Sequence, residues 1–350
     1  MTEDDLVAAI RADPDSDVPR MVYADWLQQQ GDPLGEWIAL SLVDPPSQDV
    51  ARRLVALGRE LRWTERHGAD PAHERGLVSR MKLVAHAMTP ELLDRMRGTL
   101  IRELDLSGWR PSPVQWRVLV RALANMAPRR LRVEMYLPAD ELAELLALCP
   151  GLVDLELVHA ELDDNRTAVV ARARLPALTR LAAIGYPHAE RSHRLLGDAG
   201  ALALARSRAR AGLRALTLRS WNIAARGAAA LVDLPALETL DLANNRLGAA
   251  GVIGLAERPS VARLRALNVA GAGIDDAAAA VIAGAPALAN LRHLVLGHGR
   301  WASGLSRAGL DALIASPHLS PELVLELDNE ALAPRRAAVA ARFRIAAVEA

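Results

Sequence analysis

Residues Leu237–Leu247 read LETLDLANNRL, and this stretch decides the fold. Leucines stand at Leu237, Leu240, Leu242 and Leu247, with Asn245 between the last two. The alternation over Leu240–Leu242 is that of a short strand, with both leucines on one face. Where the chain turns out of that strand, the Asn245 side chain is expected to bond backbone groups. One such unit cannot bury its apolar face alone, so it predicts similar units on both sides.

The neighbours are present. With Leu237 as position 1, positions 1, 4, 6 and 11 are apolar again at Leu213, Leu216, Leu218, Ile223 and at Leu264, Leu267, Val269, Ile274. They recur at Leu291, Leu294, Leu296, Trp301 and upstream at Leu152, Leu155, Leu157, Leu162. Weaker copies start at Val78, Ile101, Pro128 and Leu178, and a degenerate one centres on Leu323 and Leu325. Successive position-1 residues lie 23, 27, 24, 26, 35, 24, 27 and 27 residues apart. The pattern L-x-x-L-x-L-x-x-N-x-L at this period resembles the leucine-rich repeat, whose units run about 20–29 residues. The long spacing from Leu178 to Leu213 is expected to hold an insertion near Tyr186 to Arg194. Gly197-Asp198-Ala199-Gly200 and Gly248-Ala249-Ala250-Gly251 resemble helix starts of the ribonuclease-inhibitor-like subclass, with Leu202, Leu255 and Leu310 turned inward. The resemblance implies an α/β leucine-rich-repeat solenoid, a horseshoe of about nine or ten units with a parallel concave sheet and a helical convex side.

Residues 1–45 are not repeat. Leu6, Val7 and Ile10 predict a first helix capped by Thr2 and stopped at Asp13-Pro14. A second helix carries Met21, Val22, Trp26 and Leu27 and ends at Gly31, a natural residue just past a helix end. Asp32 caps a third that starts at Pro33, with Leu34, Trp37, Ile38 and Leu42 on its apolar face. The run VPRMVYADWLQQQGDPLGEWIALSL, Val18 to Leu42, resembles the bacterial repeat-companion domain, matching at Arg20, Val22 to Leu27, Gly31 to Pro33, Gly35, Glu36 and Ile38. Gln28, Gln29 and Trp37 depart mildly from that pattern, and Arg75-Gly76-Leu77-Val78 resembles its lead into the repeats. The resemblance implies architecture and transfers no activity. Arg20 and Asp25 are read as structural polar contacts. The expected organisation is a companion module over 1–45, a capping helix and connector over 46–76, repeats over 77–330 and a C-terminal capping helix over 331–350. Val50, Leu54, Leu57 and Leu61 carry the first cap, to about His67. Val339, Phe343 and Ile345 carry the last, with Arg335, Arg336, Arg342 and Arg344 facing water.

Chemical motifs are sparse. Lys+Arg and Asp+Glu are both 42 in 350 residues, so no basic bias points to nucleic acid. The arginines Arg191, Arg194, Arg206, Arg208 and Arg210 have no aromatics among them for base stacking. The single cysteine, Cys149, sits in an apolar run and reads as a buried thiol. Asp13, Asp15 and Asp17 lack the glycine and the closing glutamate of a calcium loop and read as turn and cap residues. His293 with His298, and His188 with His193, have no third zinc ligand in reach. No phosphate loop, G-x-S-x-G or H-E-x-x-H occurs. No cofactor and no metal are expected. MTEDDL lacks the basic-then-apolar form of a signal peptide, and no apolar run reaches about 18 residues. A cytoplasmic protein without a membrane span is expected.

The concave positions carry the functional reading. Position 3 reads Arg80, Glu103, Arg130, Asp154, Arg180 and position 5 reads Lys82, Asp105, Arg132, Glu156, so opposite charges flank each other on adjacent strands. In the second half, positions 3, 5 and 7 turn small, leaving Arg219, Asp241, Asn268 and His293 as polar contacts. Trp221 and Trp301 fall at the strand exits, where a tryptophan is either an interface anchor or a core filler. The reading is a non-catalytic scaffold or sensor that binds a protein of unknown identity on the concave face, at Arg219, Trp221, Asp241, Asn268 and His293. A regulatory subunit of a partner enzyme, or a hydrolase with its site in the concavity, are the alternatives.

Overall fold

The protein, seen in a computed structural model, is described over residues 2–61, 72–84, 100–108, 110–123, 126–159, 162–185, 196–207, 210–297, 304–328 and 332–345. It divides into two compact units, Met1–Met135 with Leu148–Leu152, and Tyr136–Ala147 with Val153–Ala350.

The first unit opens with α1 (Glu3–Ala12), α2 (Val18–Gln29), α3 (Pro33–Ser41) and α4 (Gln48–Glu60). Local chemistry sets each end. Thr2 forms a capping box with Asp5, and the Asp32 and Ser47 side chains accept from Leu34 and Val50 N–H. Gly31 takes φ +72°, the left-handed turn expected of it. Leu6, Val7, Ile10, Tyr23, Ala24, Leu27, Ile38 and Leu77 form the module's core. Gly35 is fixed by close approach, because a Cβ there would stand 2.5 Å from the Ala24 carbonyl oxygen. The buried face of α2 differs from the expected one. Met21 and Val22 are exposed, whereas Arg20, Tyr23, Ala24 and Leu27 are buried. Arg20 reaches that interior because its guanidinium donates to the Ser16 and Pro14 carbonyls, at 2.7 and 2.6 Å. Asp25 is exposed. Leu61 caps α4, and the expected continuation beyond it to about His67 lies outside the described residues.

A tight turn at Arg75 and Gly76 joins β1 (Ala72–Glu74) antiparallel to β2 (Leu77–Val84). β3 (Glu103–Ser107), α5 (Pro113–Leu123) and β4 (Arg130–Glu134) follow, and β2, β3 and β4 pair in parallel. Met81, Leu104 and Leu131 stand in register and are buried.

The second unit repeats one device, a parallel strand followed by a helix. Its strands are β5 (Asp154–Val158), β6 (Arg180–Ile184), β7 (Ala215–Arg219), β8 (Thr239–Asp241), β9 (Ala266–Asn268), β10 (His293–Val295), β11 (Val324–Glu326) and β12 (Arg344–Ile345). Its helices are most of α6 (Ala139–Leu148), then α7 (Asp164–Arg172), α8 (Gly197–Arg206), α9 (Ala225–Val232), α10 (Gly248–Ala256), α11 (Asp276–Gly284), α12 (Arg307–Ile314) and α13 (Arg336–Arg342). Neighbours in sequence are neighbours in the sheet. The position-4 leucines Leu155, Leu181, Leu216, Leu240, Leu267, Leu294 and Leu325 form one stack across it, each 0–1% exposed. Leu325 therefore occupies position 4 of the degenerate copy. Leu255 and Leu310 point inward as expected, but α8 buries Leu204 in place of Leu202.

The repeats are also tied through polar groups. The Asn245 amide accepts from Trp221 N–H and Ile223 N–H, both at 3.0 Å, and donates to the Leu218 and Leu242 carbonyls at 2.6 and 2.9 Å. Asp198 in α8 accepts from Ala224 and Gly227 N–H at 2.8 and 2.9 Å, so one repeat caps the next repeat's helix. Asp276 does the same for Ser306 and Gly309 N–H, and these bonds with the Ser306 hydroxyl hold its carboxyl below the usual range. At helix C-termini the donors come from the following repeat. Arg210 donates to the Ala173 carbonyl, Arg263 to those of Val232 and Leu234, and Ser316 to that of Ala283.

Arg210 is fully buried at the end of α7, where burial lowers its pKa. The expectation for the tail is corrected. The tail is α13 followed by a short strand, β12, paired with β11. Val339 and Phe343 are buried there, while Arg342 donates to the Ser316 and Leu319 carbonyls and Arg335 pairs with Asp311, so neither simply faces water.

Leu240→Asp places an unpaired carboxylate in the stack and is expected to destabilise the fold by about 3–5 kcal/mol. A thermal melt equal to wild type would show the register to be wrong. Asn245→Ala, which strands two N–H groups and two carbonyls, is expected to cost about 3 kcal/mol in urea denaturation. A loss under about 1 kcal/mol would mean that water replaces the amide.

Candidate functional site on the sheet face

Position 5 of three adjacent strands aligns Thr217, Asp241 and Asn268. Asn268 Nδ2 donates to Asp241 Oδ2 at 3.1 Å, and Arg219 donates to the same oxygen through Nε at 2.8 Å and through Nη2. The other oxygen of Asp241 accepts from Ala243 N–H, and Asn268 Oδ1 accepts from Ala270 N–H, both at 3.0 Å. Each side chain thus closes a local turn over the residue two places on, which ends β8 and β9 after three residues. Beyond them Ala243 and Ala270 pack with Val295 in a small buried cluster.

Three of the expected site residues, Arg219, Asp241 and Asn268, therefore meet. Arg219 and Asp241 neutralise each other, and that bond raises the arginine's pKa. His293 joins a different pair. Its Nε2 lies 2.6 Å from Glu326 Oε1 on β11. Sequence reading missed Glu326, although its place beside Leu325 was a usable signal, because the face was not followed into the degenerate copy.

Trp221 is corrected as a rim anchor, since it is 1% exposed. Its indole N–H donates to the Ala183 carbonyl at 2.8 Å. Ala183 holds position 6 of its repeat, as Leu218 does in the next, and Leu218 is the residue whose carbonyl Asn245 takes. Trp221 stands at the asparagine position and supplies the same cross-repeat donor. Trp301, His188, His193, His298, Arg191, Arg194, Arg208 and the insertion near Tyr186 to Arg194 lie outside the described residues.

The charge alternation on the other strands is realised as ion pairs. Glu103 lies 2.8 Å from Arg80 and 3.8 Å from Arg130, Arg132 lies 3.4 Å from Asp105 and 2.7 Å from Glu134, and Asp154 lies 3.7 Å from Arg180. Asp15 and Asp17 pair with Arg102 and Arg75. Among the described residues, no group of three or more His, Cys, Asp or Glu side chains could hold a metal. Burial pushes the Cys149 thiol up to about 12, which leaves too little thiolate for a nucleophile. No helix among the described residues is long and apolar enough to cross a membrane.

A family model described as a leucine-rich repeat matches residues 234–256, the stretch around Asn245. A search of curated proteins finds no match. Among solved structures, the chain is similar to one in the crystal structure of the Rad7 and Elc1 complex in yeast. That match has 16% identity and a TM-score of 0.43, and covers 72% of this chain and 69% of the other. It is also similar to one in the TLR13–ssRNA13 complex, at 15% identity and a TM-score of 0.37, covering 72% of this chain and 39% of the other. With the stacked strand–helix units, the repeat match defines an α/β leucine-rich-repeat fold.

Buried and exposed ion pairs on this face should differ in weight. Asp241→Ala strands Arg219, Asn268 and Ala243 N–H, and is expected to cost about 2–3 kcal/mol in urea denaturation. Arg130→Ala, at an exposed pair, should cost less than about 1 kcal/mol. Equal losses would refute the distinction.

Proposed function

We propose that this chain is a non-catalytic, cytoplasmic scaffold or sensor that takes a partner protein on the concave face of its repeats. The contact falls on the C-terminal half, at Arg219, Asp241, Asn268 and His293, with Trp221 supporting that surface from the core. One observation carries the reading. Within the Arg219–Asp241 pair the aspartate side chain is 10% exposed and the arginine 45%. The buried acid anchors the guanidinium, and nearly half of the arginine side chain remains for contact. A guanidinium held this way loses little side-chain entropy on meeting a partner's carboxylate or carbonyl. His293, held by Glu326 and 43% exposed, offers a second such group.

In this reading residues 1–45 are a repeat-companion module of the bacterial kind, 46–76 its capping helix and connector, 77–330 the repeats and 331–350 the C-terminal cap. The structural duties of Arg20, Ala24, Gly31, Asp32, Pro33 and Gly35 support an architectural role for the module. The glycine-led starts of α8 and α10 support the ribonuclease-inhibitor-like subclass. If the partner proves to be an enzyme, the chain is its regulatory subunit.

The test begins with co-purification of the tagged protein from its native host and identification of the partner by mass spectrometry. Arg219→Ala is then expected to weaken binding by more than about 1 kcal/mol, and Lys82→Ala and Arg132→Ala by much less. Trp221→Ala is a poor probe, since it removes core. Full affinity in Arg219→Ala, with loss in Lys82→Ala or Arg132→Ala, would overturn the placement.

A further inference from the structure

A cavity of about 300 Å³ lies in the first unit, and three arginines, Arg11, Arg102 and Arg129, line it. They come from three places in the chain. Arg11 is in the last turn of α1, Arg102 leads into β3 and Arg129 leads into β4. Backbone pairing holds the last two together, with Arg129 N–H donating to the Arg102 carbonyl at 2.8 Å. Arg102 is oriented by the Pro14 carbonyl at 2.8 Å and by Asp15 at 3.1 Å. Asp4 acts on Arg11 through space, and burial lowers the pKa of Arg11. Neither aspartate lines the cavity, and among the described residues its lining contains no carboxylate. The rest of the wall is largely apolar, from Pro14, Leu100, Ile101 and Ala127.

We propose that this cavity binds a small organic oxyanion, a carboxylate or phosphate monoester carried on an apolar body. Three arginines around a wall that holds no acid among the described residues create a positive potential that an oxyanion neutralises with charge-assisted hydrogen bonds. A bare inorganic ion would satisfy the arginines and leave the apolar wall wet, whereas an attached hydrocarbon or ring covers it. The volume is at the small end of ligand sites. Because the walls come from α1, its following loop and the starts of β3 and β4, a bound ligand also ties the helical module to the first strands. Binding should therefore raise the melting temperature.

The experiment is calorimetric titration of the full chain with phenyl phosphate, 3-phenylpropanoate, inorganic phosphate and benzyl alcohol, with a thermal melt for each. At least one of the first two is expected to bind saturably and raise the melting temperature, and their ranking separates phosphate from carboxylate recognition. Inorganic phosphate and benzyl alcohol should bind at least about tenfold more weakly, each lacking one half of the interaction. Arg11→Ala and Arg129→Ala should each weaken binding about tenfold or more. Ala127→Glu, at an exposed position, should abolish it, and Arg52→Ala on α4 should leave it unchanged. Ligand-free melts of each variant separate lost binding from lost fold. The proposal is overturned if neither amphiphile binds, if inorganic phosphate binds as tightly as they do, or if folded Arg11→Ala and Arg129→Ala variants keep full affinity.

Discussion

Strands β6 and β7 end in backbone groups whose partners come from side chains of the next repeat, and the structure depends on that supply. Asn245 shows the constraint most fully. Its one amide serves two N–H groups and one carbonyl of the preceding repeat and a carbonyl of its own. A buried amide left without a partner costs about 1–3 kcal/mol, so a repeat without its neighbour is penalised at the groups that define its turn. The leucine stack supplies most of the favourable energy, but burial is non-directional. The amide has direction, and it sets which residue of one unit faces which residue of the next.

The same rule governs the helices. A short helix leaves four N–H groups and four carbonyls unpaired, a large fraction of its backbone. Asp198 and Asp276 meet the N–H groups of the following helix, while Arg210, Arg263 and Ser316 reach back to carbonyls of the preceding one. Small residues permit this. A side chain on Gly227 would strike Asp198, and one on Gly309 would strike Asp276, so the helix starts stay glycine where an aspartate must come close.

What could be read from sequence follows from which interactions have a period. The leucines repeat because the described strands share a buried face, and their positions gave the strand register within each unit. The asparagine position was legible for the same reason. Trp221 was not, because tryptophan and asparagine share no shape; what they share is an N–H donor aimed at the position-6 carbonyl. Helical spacing also left the face of α2 ambiguous. Met21, Val22, Trp26 and Leu27 make a plausible apolar stripe, yet of these only Leu27 is buried, and the buried face contains Arg20, whose charge is acceptable inside because the Ser16 and Pro14 carbonyls are already aimed at it. Arg210 was illegible for the same reason: sequence shows a cation among cations, whereas only the fold shows the helix end beneath it.

The ion pairs of the sheet face differ in how their burial is divided, and this gives the candidate site its character. Arg80 and Glu103 are both substantially exposed, at 56% and 35%, so each competes with water for the other and the pair fixes neither tightly. At Arg219 and Asp241 the division is unequal. The acid is held by Asn268 and by the Ala243 N–H and lies beneath the surface, so the base above it is bonded to a fixed point. That asymmetry comes from the position-5 register, which sets Asn268 beside the Asp241 carboxylate, and from the turn that the carboxylate closes on Ala243 N–H. The repeat thus does two things with one aspartate. It ends the strand, and it holds a cation outward in a defined orientation, which is the form in which a rigid sheet can present charge to a partner.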